Sequence, residues 1–325
     1  MLSIFKKSCT KASDNEISII RKQLIGKSWK TTDEALSTSK GRELYVTLQS
    51  VLSRPPIQSN IFRNYMKTHM KFGRYIPYGY SMIYCNPTHF ESEMSSDGYD
   101  NFNSPVLNNI EFFRRRMWVG GELIFEPGNR LKFGERVDFE EKVTNVKAFN
   151  NNSTIFVDYR RNYSNMFGLS LIEKRRLCYL NELYSEAEET SSDPITPDHF
   201  IFVTPSLITN FRMSALTFNS HLLHYDLHYC NSIEGYPKVV VEAPLLLELA
   251  LQFWLNLTNS QISLRKIKYK ISRPFFTDEK LKICISKSSK TQTNIWLQNL
   301  TGQCGFVATL TVSPSEFKEQ LLSHR

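Results

Sequence analysis

VVVEAPLLLELALQFWL, residues 239–255, is the most apolar stretch of the chain, and its reading decides the fold. A membrane-spanning helix needs about 20 apolar residues with few or no charges. Glu242, Pro244 and Glu248 interrupt this one. Proline suits the first turn of a helix, where its missing N–H costs nothing. The stretch therefore reads as a buried helix entered through Pro244, apolar on nearly every side because it is surrounded by protein.

Four strand-like runs follow it: residues 262–272, 280–288, 292–300 and 304–312. In the first, Ile267, Tyr269 and Ile271 face one way and Lys266, Lys268 and Lys270 the other, the two-residue period of a half-buried strand. Before the helix lies a polar segment, 217–237, rich in histidine, asparagine and aspartate. Further upstream, ELYSEAEETSSDPITPD (182–198) carries six acids and two prolines with no helical or strand period, and reads as an acidic surface linker. The first half repeats the plan. Helical patterning over 16–26 and the following twenty or so residues gives way to strand-like runs at 121–126, 136–149, 153–164 and 169–180. The expected division is a segment 1–15, a first unit 16–181, the linker 182–198 and a second unit 199–325. Helix followed by antiparallel strands, done twice, is an α+β pattern. No sequence identity between the halves is visible.

The chain has 325 residues, 41% hydrophobic and 22% charged, enough for a sizeable core. Its net charge of +8 suits an acidic partner. No nucleic-acid-binding motif accompanies it, and the basic residues are spread along the chain. The six cysteines show no zinc spacing and read as reduced thiols. The start, MLSIFKKSCTKAS, is basic and acid-poor like a mitochondrial presequence, and the final SHR is no peroxisomal address.

FRRRMWVGGELIF (113–125) with LKFGERV (131–137), FRMSALTFNSHLLHYD (211–226) with EGYPKVVVEAPLLLEL (234–249), and ISRPFF (271–276) fall in order on the two halves. Together they resemble the hydroxyacyl-thioester dehydratase type 2 group, a MaoC-like hydratase branch of mitochondrial fatty acid synthesis. The resemblance implies a double hotdog, each long central helix wrapped by an antiparallel sheet, forming a pseudo-dimer within one monomer. It implies dehydration of a (3R)-3-hydroxyacyl thioester to the trans-2-enoyl thioester in the mitochondrial matrix, with no metal and no redox cofactor. The partner is acyl carrier protein or CoA as the thioester carrier, with no nucleic acid and no membrane span. The same fold acting on acyl-CoA elsewhere, or a non-catalytic acyl-binding protein, are the alternatives.

In the wider family an Asp-x-Asn-Pro-aliphatic-His pattern carries the acid–base pair. Aligned on the histidine, His224 is the catalytic imidazole, suited to proton traffic near neutral pH. Asn219 stands where the aspartate is expected, and its amide can hold water or a hydroxyl but cannot exchange a proton usefully. His221 stands at the asparagine position. The resemblance assigns the Ala243 backbone N–H, at the start of the central helix, to the thioester oxygen, where the helix terminus adds partial positive charge. Glu242 is either an exposed cap or the carboxylate that Asn219 lacks. Arg116, within the run 114–116, either meets a phosphopantetheine phosphate or acidic carrier surface or is a solvated charge. Trp118 is core or acyl contact. The first half, with no second polar cluster of this kind, is expected to provide apolar acyl-cavity walls. His221, His224 and Asp226 on spacing alone also permit a zinc site, and Asp226 suits a helix cap.

Overall fold

The structure, a computed structural model, describes residues 6–7, 11–53, 59–186, 196–258 and 263–313. Residues 11–15, placed in the possible presequence, belong to the fold. Ala12 is buried, and Ser13 forms a capping box with Glu16 on helix α1 (Asp14–Leu24). Apolar Ile17, Ile20 and Leu24 recur at helical spacing on the inner face of α1 and pack into a core cluster with Val143, Val157 and Leu177.

Strand β1 (Ser28–Asp33) leads into α2 (Thr38–Leu52), capped by the Ser37 hydroxyl, and α3 (Ser59–His69) follows. Four long strands complete the first half: β2 (Arg115–Phe125), β3 (Val137–Phe149), β4 (Thr154–Asn165) and β5 (Gly168–Leu180). The second half has β6 (His199–Val203), α4 (Leu207–Thr217), α5 (Ala243–Leu257), β7 (Leu264–Ile271), β8 (Leu281–Lys287), β9 (Gln292–Gln298) and β10 (Cys304–Val312). The ten strands form one sheet ordered β1-β3-β4-β5-β2-β7-β10-β9-β8-β6. Read outward from the β2–β7 seam, the halves repeat the same order of central strand, meander and short edge strand. This is a double hotdog, α+β in class.

The seam explains the paired glycines after Trp118. Antiparallel β2 and β7 set Gly121 opposite Tyr269. A Cβ on Gly121 would overlap the Lys174 carbonyl oxygen and crowd the Tyr269 ring, so the two sheets close here because the side chain is missing. Helix α5 runs through the core as its sequence predicts, with Pro244 in its first turn and residues 244–254 all buried. Each leucine so enclosed contributes about 1.5–3 kcal/mol relative to exposure. The expected linker begins after β5 and ends at β6; its residues 187–195 lie outside the described residues.

Candidate active site between the halves

A cavity of about 240 Å³ opens where the two halves meet. Residues from both line it, among them Asn219, His221, His224, Ala243, Arg116 and Trp118. Phe218, in the left-handed conformation at the C-terminus of α4, turns the chain out of the helix and into the loop 219–224.

Loop and helix start are tied together by one buried amide. Asn210 of α4 donates from Nδ2 to the carbonyls of His224 (2.9 Å) and Val240 (3.0 Å), and its Oδ1 accepts from the Glu242 N–H (2.9 Å). Sequence reading missed Asn210; an asparagine mid-helix, where it is a poor helix former, was the available signal. The loop is also held from the first half. Leu222 N–H donates to the Asp97 carbonyl (2.8 Å), and Ser220 Oγ to that of Gly98 (2.6 Å). Gly98 has φ +79°, and a Cβ there would overlap the Ser220 carbonyl oxygen, so the approach needs glycine.

His224 is half-buried, and its Nδ1 lies 2.9 Å from the Val240 carbonyl. A carbonyl can only accept, so Nδ1 carries the proton and Nε2 keeps its lone pair. Burial, followed by the neighbouring His221, drives its pKa from 6.5 down to about 3, against the raising effect of the Val240 bond. The imidazole is thus neutral at physiological pH, a base with no proton to lose first. Asn219 Oδ1 accepts from His221 N–H (3.1 Å), which fixes the orientation of its amide. Ala243 opens α5 at the cavity, and its N–H, like that of Leu245, precedes the first intrahelical hydrogen-bond donor, Leu246 to the Glu242 carbonyl.

The other predicted residues sit differently from expectation. Glu242 is not an exposed cap. It is fully buried, makes no side-chain capping bond and is not among the cavity-lining residues, because α4 and the loop close over it. The arginine run is not solvated: Arg115 and Arg116 are buried. Arg116 donates to Asp97 Oδ2 (2.9 Å), the Asp100 carbonyl (3.1 Å), Ser104 Oγ (3.0 Å) and Asn101 Oδ1 (3.3 Å). Its fork is filled from within the protein, which leaves it a scaffold for the cavity wall rather than a phosphate clamp. Burial acts to lower its pKa, and Asp97 overcomes this to hold it above the usual arginine value. His221 is buried, with Nε2 3.6 Å from Asp97 Oδ2 and 3.7 Å from Glu234 Oε1. Asp97 and Glu234 were not anticipated; nothing in their local sequence marks them. Trp118 donates to the Gly120 carbonyl (3.2 Å), lies 3.8 Å beneath the Arg175 guanidinium and also faces the cavity.

The first-half wall carries charge as well as the expected apolar lining, which includes Met82, Met94, Trp118 and Val119. Glu141, Arg161 and Arg175 line the cavity beside Leu177 and Met117. Inward positions of β3, β4 and β5 can carry charge because the charges pair. Arg161 bridges Glu141 (2.8 Å) and Glu173 (3.1 Å), and Arg175 reaches Glu173 at 2.6 Å. Asp226, as read, caps the short helical turn after the loop by accepting from Tyr229 N–H (3.0 Å), directing its carboxylate away from any zinc grouping with the histidines. Among the described residues no cluster of His, Cys, Asp and Glu is disposed to hold a metal ion, and no helix is long and apolar enough to cross a membrane.

The fold is that of the MaoC-like hotdog dehydratases. The MaoC-like dehydratase of Phytophthora capsici superposes with a TM-score of 0.62 over 93% of this chain and 99% of its own, at 10% identity. HtdX of Mycobacterium tuberculosis gives 0.60 over 88% and 100%, at 8% identity. The family model for hydroxyacyl-thioester dehydratase type 2 matches residues 79–277, more than half of the chain. The chain belongs to that family, and so to the hydro-lyases. The mitochondrial hydroxyacyl-thioester dehydratase type 2 of Schizosaccharomyces pombe is 29% identical over 245 residues, 69% of this chain and 80% of that one. Its Saccharomyces cerevisiae counterpart is 26% identical over 219 residues, 63% and 75%. A mesaconyl-C(4)-CoA hydratase of Chloroflexus aurantiacus is 29% identical over 185 residues, 52% and 61%.

Proposed function

We propose that the cavity takes a (3R)-3-hydroxyacyl thioester and that His224 moves the proton in its dehydration. Nε2 removes the C2 proton while the electron pair runs to the thioester oxygen, where the Ala243 N–H and the positive end of α5 hold the developing charge. The same imidazole, now protonated, gives that proton to the C3 hydroxyl, which leaves as water as the C2–C3 double bond forms. One base serving both ends requires the proton and the hydroxyl to leave from the same face. Asn219 steadies the hydroxyl or departing water, and His221 keeps Asn219 oriented. The first half is non-catalytic and supplies Arg116, Trp118 and the charged wall.

The observation that carries this reading is the meeting of a neutral imidazole with a lone pair and the uncommitted amides of a helix start on one inter-half cavity. We further propose a mitochondrial matrix setting, acyl carrier protein ahead of CoA as the carrier, and a monomer that already contains the paired-hotdog interface. The net charge of +8 suits either acidic carrier. Hydration of a crotonyl thioester, run on CoA and on acyl carrier protein with the product identified, tests the reading. A 3-hydroxybutyryl thioester is expected, made faster on the carrier protein. No water addition on either carrier would overturn it.

A further inference from the structure

Glu242 has no part in the chemistry above, yet its place is unusual. It is a fully buried carboxyl at the N-cap of α5, one residue before the amide assigned to the thioester oxygen. Ser214 Oγ donates to its Oε1, and Oε2 has no hydrogen-bond partner within ordinary distance. The Asn219 side chain is its other polar neighbour. Its backbone N–H is held by Asn210, the residue that also fixes His224 and Val240. Glu242 therefore adjoins Ser214, Asn210 and Asn219 without entering the cavity.

We propose that Glu242 is a positioning residue for the reaction: through Asn219 and through the first turn of α5 it sets the two polar contacts the substrate meets beside His224. The inference rests on the reading of the site given above. A buried carboxyl with one unpaired oxygen is stable when neutral and costly when charged. Burial carries its pKa from 4.5 to about 8, although Ser214 and Asn219 pull it down. The groups facing it, Ser214 and Asn210 of α4 and Asn219 of the loop, do not titrate. The nearby charged and titratable side chains are Arg212 of α4, His221 and His224 of the loop, Arg273 after β7, Lys40, Arg42 and Glu43 of α2 and Glu248 of α5, and burial is the dominant cause of the shift. Neutral, Glu242 leaves the positive end of α5 free for the thioester oxygen. Ionised, it sets a full negative charge against that end and against the enolate-like charge it should hold.

The test is the pH profile of crotonyl-CoA hydration from pH 6 to 10 for wild type, Glu242→Gln and Ser214→Ala. Wild-type kcat should fall above about pH 8. Glu242→Gln, neutral at every pH, should lose that alkaline fall. Ser214→Ala removes a donor that favours the anion and should move the fall to higher pH, with KM changed less than kcat. A Glu242→Gln profile identical to wild type, or a Ser214→Ala fall that does not move, would overturn the role of Glu242 while leaving the reaction standing. Absence of hydration by wild type would instead count against the proposed reaction. If Glu242→Gln does not fold, the displacement in Ser214→Ala decides.

Discussion

The two halves share one strand order and treat buried charge in opposite ways. In the first, Arg161, Arg175, Glu141 and Glu173 are packed into the sheet interior and neutralise one another. Glu173 shows the balance: burial raises its pKa, and Arg175 and Arg161 outweigh burial and hold it below 4.5. In the second, Glu242 and Glu248, fully buried, and His224, half-buried at the cavity, lack a counter-charge and are driven toward their neutral forms, chiefly by burial. Paired charges stay charged and build a wall. Unpaired ones give up their charge and become groups that can exchange protons or hold a neutral hydrogen bond. The fold repeats, and the placement of counter-ions separates scaffold from site.

Breaking the paired half should have the largest effect on stability. Glu173→Gln leaves Arg161 and Arg175 buried without their shared partner, and should cost about 3–5 kcal/mol, read from urea unfolding. Asn210→Ala should come next. It strips hydrogen bonds from two carbonyls and one amide in the second half, roughly 1–3 kcal/mol, and should lower kcat more than it raises KM because His224 and α5 lose their common anchor. Asn219→Asp sharpens the comparison: it puts a carboxyl beside Glu242, and one of the two must stay protonated. Folding should survive and the pH profile of hydration should shift, with a smaller change in rate than removal of His224 produces.

Stability should also depend on pH, through the two unpaired groups of the second half. His224 binds its proton less tightly folded than unfolded, so its contribution is present above pH 6.5 and is lost as pH falls toward 3. Glu242 binds its proton more tightly folded, so its contribution is full below pH 4.5 and is lost as pH rises through about 8. The two oppose each other between 4.5 and 6.5. A His224→Gln variant should lose the acid-side dependence, and Glu242→Gln the alkaline-side one, in urea midpoints taken from pH 4 to 9.

The sequence announced α5 and the eight longer strands because each has a period or a run that local packing demands. Strand β2 starts earlier than its predicted range since Arg115 and Arg116, which look solvated in sequence, are interior once Asp97 and its neighbours supply partners. Short β1 and β6 are edge strands of mixed polarity and carry no clear alternation. His224, Asn219 and Ala243 were legible through motif resemblance. Asp97, Glu234 and Asn210 were not, because their importance lies in contacts 13 to 124 residues distant or in a buried amide that no local pattern marks. Glu242 was legible as either an exposed cap or the carboxylate that Asn219 lacks; its burial was not legible, since the N-cap position is usually open to solvent and here α4 covers it.

The most direct measurement of the central claim is crotonyl-thioester hydration by His224→Ala, with thermal unfolding recorded on the same preparation. Loss of the neutral imidazole should lower kcat by roughly a hundredfold or more and leave the cooperative unfolding transition intact. A variant that hydrates within a few-fold of wild type would show that the proton moves elsewhere and would contradict the account.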